Sequence, residues 1–106
     1  MAQFDVHRNT GRLRETVPFV VVVQSSQFDG YRRRVVVPLV KASTIDARVL
    51  RVLNPEFRVR NVAVVLHPLD LVSVPVDQLG ERVGSLADSA DAIVRALDEV
   101  LTRAWK

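Results

Sequence analysis

Few side chains in this sequence can do chemistry near neutral pH. His7 and His67 are the two histidines, sixty positions apart, and imidazole is the side chain whose unperturbed titration falls closest to pH 7. The chain has no cysteine, which removes disulfides, thiol nucleophiles and iron–sulfur ligation together. No His-x-x-x-His pair, acidic cluster or calcium loop occurs, so no metal site is expected. Gly11, Gly30, Gly80 and Gly84 compose neither a phosphate loop nor a nucleophile elbow, and no cofactor is expected either. Both histidines read more simply as a strand residue and a turn residue.

Two further features suit binding rather than catalysis. Arg32-Arg33-Arg34 is a basic cluster in which, on a strand, Arg33 points away from its two neighbours. With Tyr31 alone beside it, a stacking platform for single strands is poorly supported. Solvated arginines at the entry to a strand, blunting a sheet edge, are the simpler reading. Trp105 is the single tryptophan. It packs against the body or a dimer contact, or it is an exposed anchor of the kind that dominates protein interfaces.

The frame that positions these residues is small. The chain has 106 residues, 48% hydrophobic and 25% charged, a globular composition with enough length for one core. A single domain over 1–106 is expected. Valine occurs 22 times, and β-branched side chains suit a pleated surface. The longest apolar run near the start, Phe19 to Val23, is far short of the roughly 18 residues of a membrane span, and no signal segment opens the chain. A soluble, cytoplasmic protein with no membrane partner is expected. The net charge of +3 is unevenly spread, with eleven basic and five acidic residues up to position 60 and four and seven after it. Such asymmetry serves nucleic acid, a dimer or an acidic partner.

Gln3 to His7 alternates and reads as a half-buried strand. Arg8 to Thr16 is a polar loop, and Phe19 to Val23 a strand covered on both faces. Ser25 to Gly30 is turn chemistry, followed by a partner strand from Arg33 to Val40. Pro38, which lacks an N–H, predicts a sheet edge or a bulge there. Ser43 to Leu53 reads as an irregular or weakly helical connection. Phe57 to Leu66 is strand-like with a tight turn near Arg60-Asn61, and His67-Pro68 ends it. Asp70 to Val76 is extended. Ser85 and Asp88 offer caps for a final helix, with Asp91 in its first turn. Ile93, Val94, Leu97, Val100, Leu101 and Ala104 make one apolar face about 120° wide at 100° per residue. Trp105 falls at its rim, beside Val94 and Leu101. The spacing predicts a small antiparallel β-domain closed by a C-terminal helix.

Several segments resemble the CcdB toxins of bacterial type II toxin–antitoxin systems in order and near-spacing. They are Gln3-Phe4-x-Val6, Val23-Gln24-Ser25, Arg33-Arg34-Val35-Val36-Val37-Pro38-Leu39, Leu53-Asn54-Pro55 and Ser73-Val74-Pro75-Val76-x-x-Leu79-Gly80-Glu81. The resemblance implies a mainly β, SH3-like barrel of the CcdB and MazF type, with a C-terminal helix, working as a homodimer. It implies a non-enzymatic poison of DNA gyrase that binds the A subunit and traps it on cleaved DNA. A cognate CcdA-like antitoxin would remove it, through a segment that folds on contact. Toxin and antitoxin together would repress their operon, so operator DNA is touched only through the antitoxin.

Gyrase contacts in the family lie in a Trp-Gly-Ile terminus and in two apolar residues of the loop after the second strand. The loop pair falls on Gln27 and Phe28. Without gaps the terminus falls on Thr102, Arg103 and Ala104, three residues before Trp105; aligned on tryptophan, it leaves Lys106 in place of glycine. Trp105 is then the anchor, Leu101 and Ala104 its apolar support, and Thr102, Arg103 and Lys106 its surroundings. Trp105 and Phe28 are expected to serve the antitoxin as well. The alternatives are a MazF-like endoribonuclease on the same fold, which would need a base and a cation beside the scissile phosphate, with His7, Arg33 and Asp70 the obvious candidates although they form no motif, or an inactive homologue that only binds antitoxin.

Overall fold

The computed structural model describes residues 2–45 and 53–102. Among these residues seven strands form one antiparallel sheet: β1 (Asp5–Arg8), β2 (Phe19–Val22), β3 (Arg33–Lys41), β4 (Glu56–Val59), β5 (Val62–Leu66), β6 (Val72–Pro75) and β7 (Arg82–Ser85). Helix α1 (Ala90–Leu101) follows. The strand order is β4-β5-β3-β2-β1-β7, with β6 also paired to β3. The β-rich antiparallel architecture closed by a helix agrees with the expectation from the sequence.

Alternation on the inner face builds the core. Val6, Phe19, Val21, Val37, Leu39, Val64 and Leu66 point to one side, and Ile93 and Ala96 of α1 close over them. The hairpin β4–β5 turns at Arg60 and Asn61, with φ of 51° and 65°. Two successive left-handed residues twist a two-residue turn to match its strands, so the tight turn lies where the sequence put it.

Strand β3 organises the rest. Its N-terminal half pairs with β6 (Arg33↔Pro75 to Val36↔Val72) and its C-terminal half with β5 (Leu39↔Leu66 to Lys41↔Val64). Pro38 sits at the junction between these two ladders. The strand is therefore central, so of the two alternatives read from Pro38, a sheet edge or a bulge, the edge is excluded, and β2 runs along its other side. The proline carbonyl accepts from His67 N–H at 3.0 Å. A residue's N and O face the same side of a strand, so the missing N–H of Pro38 meets the gap where no ladder bond is required.

Strand β7 is absent from the expectations above. It pairs with β1 through a bulge that sets Val6 against Gly84 and His7 against Arg82, so Val83 is the extra residue. Just before it, Gly80 donates to the Arg8 carbonyl at 3.2 Å, and a Cβ at position 80 would lie 2.6 Å from that oxygen. Gly80→Ala must push two backbones apart. We expect a loss of about 1–3 kcal/mol, read by urea unfolding; a loss under about 0.5 kcal/mol would mean that the loop yields freely.

The helix also departs from its expected setting. Ile93 and Ala96 are fully buried, while Val94 and Leu101 are 54% and 64% exposed. The buried stripe is thus rotated by roughly half of the 100° step between residues. The helix begins after Ser89, which makes no side-chain cap. Ser85 instead accepts from Ala87 N–H at 3.1 Å, serving the 3₁₀ turn Ala87–Ser89 rather than the helix.

Candidate functional site

The segment between β2 and β3 is built as a display. Ser25 begins a short 3₁₀ turn, Ser26–Phe28, its hydroxyl accepting from Gln27 N–H. Phe28 N–H donates to Ser25 O and Tyr31 N–H to Phe28 O, at 3.1 and 3.0 Å. Two side chains, one just past the end of β2 and one on β3, then tie the loop down. Gln24 donates through Nε2 to the carbonyls of Phe28 and Arg33, both at 3.2 Å, and accepts from Val35 N–H at 3.0 Å. Arg34, only 5% exposed, donates to the carbonyls of Tyr31, Arg33 and Asp29 at 2.6, 2.9 and 2.9 Å. Its Nε lies 3.7 Å from Asp29 Oδ1, an ion pair too long for a hydrogen bond.

Arg34 is therefore not a solvated entry residue, as expected from the run of three arginines. A planar guanidinium carries several donors in a fixed fork, and three carbonyls of one turn converge on it. Arg33 stays exposed, its Nε donating to Ser73 Oγ at 2.8 Å and its Nη2 to Ser73 O at 2.7 Å.

What the loop displays is apolar. Phe28 is 44% and Tyr31 68% exposed, their ring centroids 6.0 Å apart and their planes at 39°. Gln27 is exposed on the same turn. Tyr31 was not singled out as a contact in the sequence, since nothing there reveals that the turn folds it back onto Phe28.

The second group of expected contacts lies at the end of α1. Leu101 and Thr102 are exposed, and the Thr102 hydroxyl donates to the Asp98 carbonyl at 3.0 Å and to the Asp98 carboxylate. Arg103, Ala104, Trp105 and Lys106 lie outside the described residues, as does most of the connection expected between Ser43 and Leu53. Among the described residues no hydrogen bond, ion pair or ring contact joins Gln27 or Phe28 to Leu101 or Thr102.

The residues considered for RNA cleavage each have their own partner. His7 is buried, its Nδ1 2.9 Å from Gly80 O. Its Nε2 is enclosed without a hydrogen-bond partner. Arg33 is held by Ser73. Asp70 Oδ2 lies 3.4 Å from His67 Nδ1, without the alignment of a hydrogen bond. Near Asp70 an apolar hollow of about 460 Å³ opens on the outer face of the sheet, lined by Leu13, Val20, Val36, Pro38 and Val72.

A family profile described as "CcdB protein" matches residues 3–102. The chain belongs to the CcdB family. As a member it is a toxin of a toxin–antitoxin system, and the match ends at Thr102, three residues short of Trp105. Among solved structures, the fold of this CcdB-family chain is similar to "Mycobacterium tuberculosis toxin MazF-mt6", with a TM-score of 0.73 and 16% identity over 95% of this chain and 99% of that one. It is also similar to "Endoribonuclease in complex with its cognate antitoxin from Mycobacterial species", with a TM-score of 0.71 and 16% identity over 100% and 99%. At that identity the likeness is one of fold, the CcdB and MazF type expected from the sequence.

Proposed function

We propose that this CcdB-family toxin acts without catalysis, as a homodimer that binds the A subunit of DNA gyrase in the cytoplasm and is neutralised by a cognate antitoxin. The observation that carries the reading is the loop after β2. A family contact position, Phe28, stands exposed there on a turn fixed in advance by Gln24 and Arg34. A preformed surface binds without the entropy of ordering it. Leu101 and Thr102 supply the exposed end of α1, beyond which Trp105 is the anchor and Arg103, Ala104 and Lys106 its surroundings. Gln27, in the place of an apolar residue, makes the loop contact narrower than in the family. The antitoxin would compete at Phe28 and Trp105 and carry the toxin to operator DNA.

A supercoiling assay with purified gyrase tests this reading. Inhibition with trapped, cleaved DNA is expected, and its absence at high toxin excess would make gyrase the wrong target.

The fold likeness to an endoribonuclease favours a second reading, RNA cleavage. The separate partners of His7, Arg33 and Asp70 speak against it, because general acid–base work needs its groups within reach of one phosphate. Incubation with single-stranded RNA is expected to leave it intact.

A further inference from the structure

The tip of the hairpin β4–β5 overhangs the sheet that carries it. Strand β3 pairs with β5 only from Leu39↔Leu66 to Lys41↔Val64, while β4 and β5 continue together to Val59↔Val62. Among the described residues no third strand lies beside the last two pairs, Arg58↔Ala63 and Val59↔Val62. The tip still covers core: Val59 is buried, and Phe57 and Val62 pack against the same apolar cluster as Val83 of β7. Strands β4 and β7 are the two ends of the strand order, with no ladder between them among the described residues. Arg60 crosses that seam, its Nε donating to Val83 O at 3.1 Å.

Arginine is an unusual residue for this turn. Position 60 has φ of 51°, in the left-handed region where glycine and asparagine sit at least cost. The turn itself is secured by Arg58, whose Nη2 donates to Asn61 O at 3.1 Å. The reach of the arginine side chain, not its backbone preference, is what position 60 uses. Its acceptor is equally particular. Val83 is the extra residue of the bulge between β1 and β7, and such a residue stands out of its own ladder, open to a donor from elsewhere.

We propose that the tip of β4–β5 is a flap over the end of the core, and that Arg60 is the clasp that holds it shut against β7. When Arg60 releases Val83 O, the tip swings as a unit with its own ladder intact, and Val59 comes out of the core. Strand β7 stays behind. Its ladder to β1, and the ion pair of Arg82 Nε with Asp5 Oδ2 at 3.1 Å, fix it from the other side. Local opening falls to parts with few neighbours and with hydrogen bonds exposed to water, and the Arg60 bond is exposed. The device is independent of what the toxin binds.

The chain has no cysteine, so one introduced thiol reports the opening. Val59→Cys places it under the flap, with Val62→Cys on the same tip as a second reporter. Val21→Cys, at a fully buried position of β2, reports unfolding of the whole domain. The measurement is the rate of labelling by a maleimide dye in native buffer, divided by the rate for the same chain in urea. Arg60→Asn suits the left-handed turn better than arginine does and cannot reach β7. It is expected to speed labelling under the flap by roughly tenfold and to leave the Val21→Cys thiol unchanged. Arg60→Lys keeps the charge and most of the reach, and is expected to recover part of the difference. Loss of a neighbouring cation slows a thiol's own reaction, so a gain in rate reports opening. Equal or slower labelling under the flap in the Arg60→Asn chain overturns the proposal. Equal acceleration at both places also overturns it, since Arg60 would then support the whole domain and hold no flap.

Discussion

Trp105→Ala is expected to leave a folded protein that no longer traps gyrase. A tryptophan buried at the centre of an interface carries about 2–4 kcal/mol of binding, so at least about 30-fold more protein would be needed for the same amount of cleaved DNA. Fold and contact are separable here because the core that closes the domain is made by Ile93 and Ala96, a full turn or more before the helix ends. Thermal unfolding within about 2 °C of the parent, together with lost inhibition, supports the anchor role. An unfolded variant would assign Trp105 to packing. Unchanged inhibition would move the contact to Phe28 and Leu101.

Arg34→Ala is expected to be among the most damaging single changes in the chain. It removes three charge-assisted hydrogen bonds to the carbonyls of Asp29, Tyr31 and Arg33 and breaks the ion pair between Arg34 and Asp29. Breaking a wholly buried pair costs about 3–5 kcal/mol. Asp29 is one-third exposed, so water recovers part of that, and about 2–3 kcal/mol is expected. For a domain of this size the midpoint falls by roughly 8–20 °C. Arg34→Lys should restore less than half, since an ammonium is a compact charge that cannot reach three divergent carbonyls. A loss below about 0.5 kcal/mol for Arg34→Ala would show that water replaces the guanidinium freely.

The parts of this fold that follow from near neighbours in sequence were readable there. The run Phe19–Val23, its partner from Arg33 and the Arg60-Asn61 turn all express local preferences, period-2 burial and a two-residue reversal. The rest depends on contacts between distant residues. Strand β7 is four residues with a glycine inside, and it exists because β1 offers it a ladder. Three consecutive arginines look alike as letters; only the carbonyls that converge on the last distinguish Arg34 from Arg32 and Arg33. The helix setting was missed because Ala96 is a weak apolar signal, yet its small size lets the helix lie close on the core. Of the candidate site, Gln27 and Phe28 were reached through resemblance to a family. Tyr31 was not, because its value comes from lying against Phe28.

The pairing of β1 with β7 also governs when this toxin can exist. Val6 meets Gly84, so a strand from the beginning of the chain waits for one encoded almost eighty residues later. Closing so long a loop is entropically slow to begin with, and sheets dominated by such distant pairings fold in milliseconds to seconds rather than microseconds. A nascent chain that has emerged only as far as β6 has an unpaired outer edge on β1 and lacks the helix that covers the core. The complete surface therefore appears only after β7 and α1 have been made, and until then the exposed β1 edge is open to any strand that meets it first.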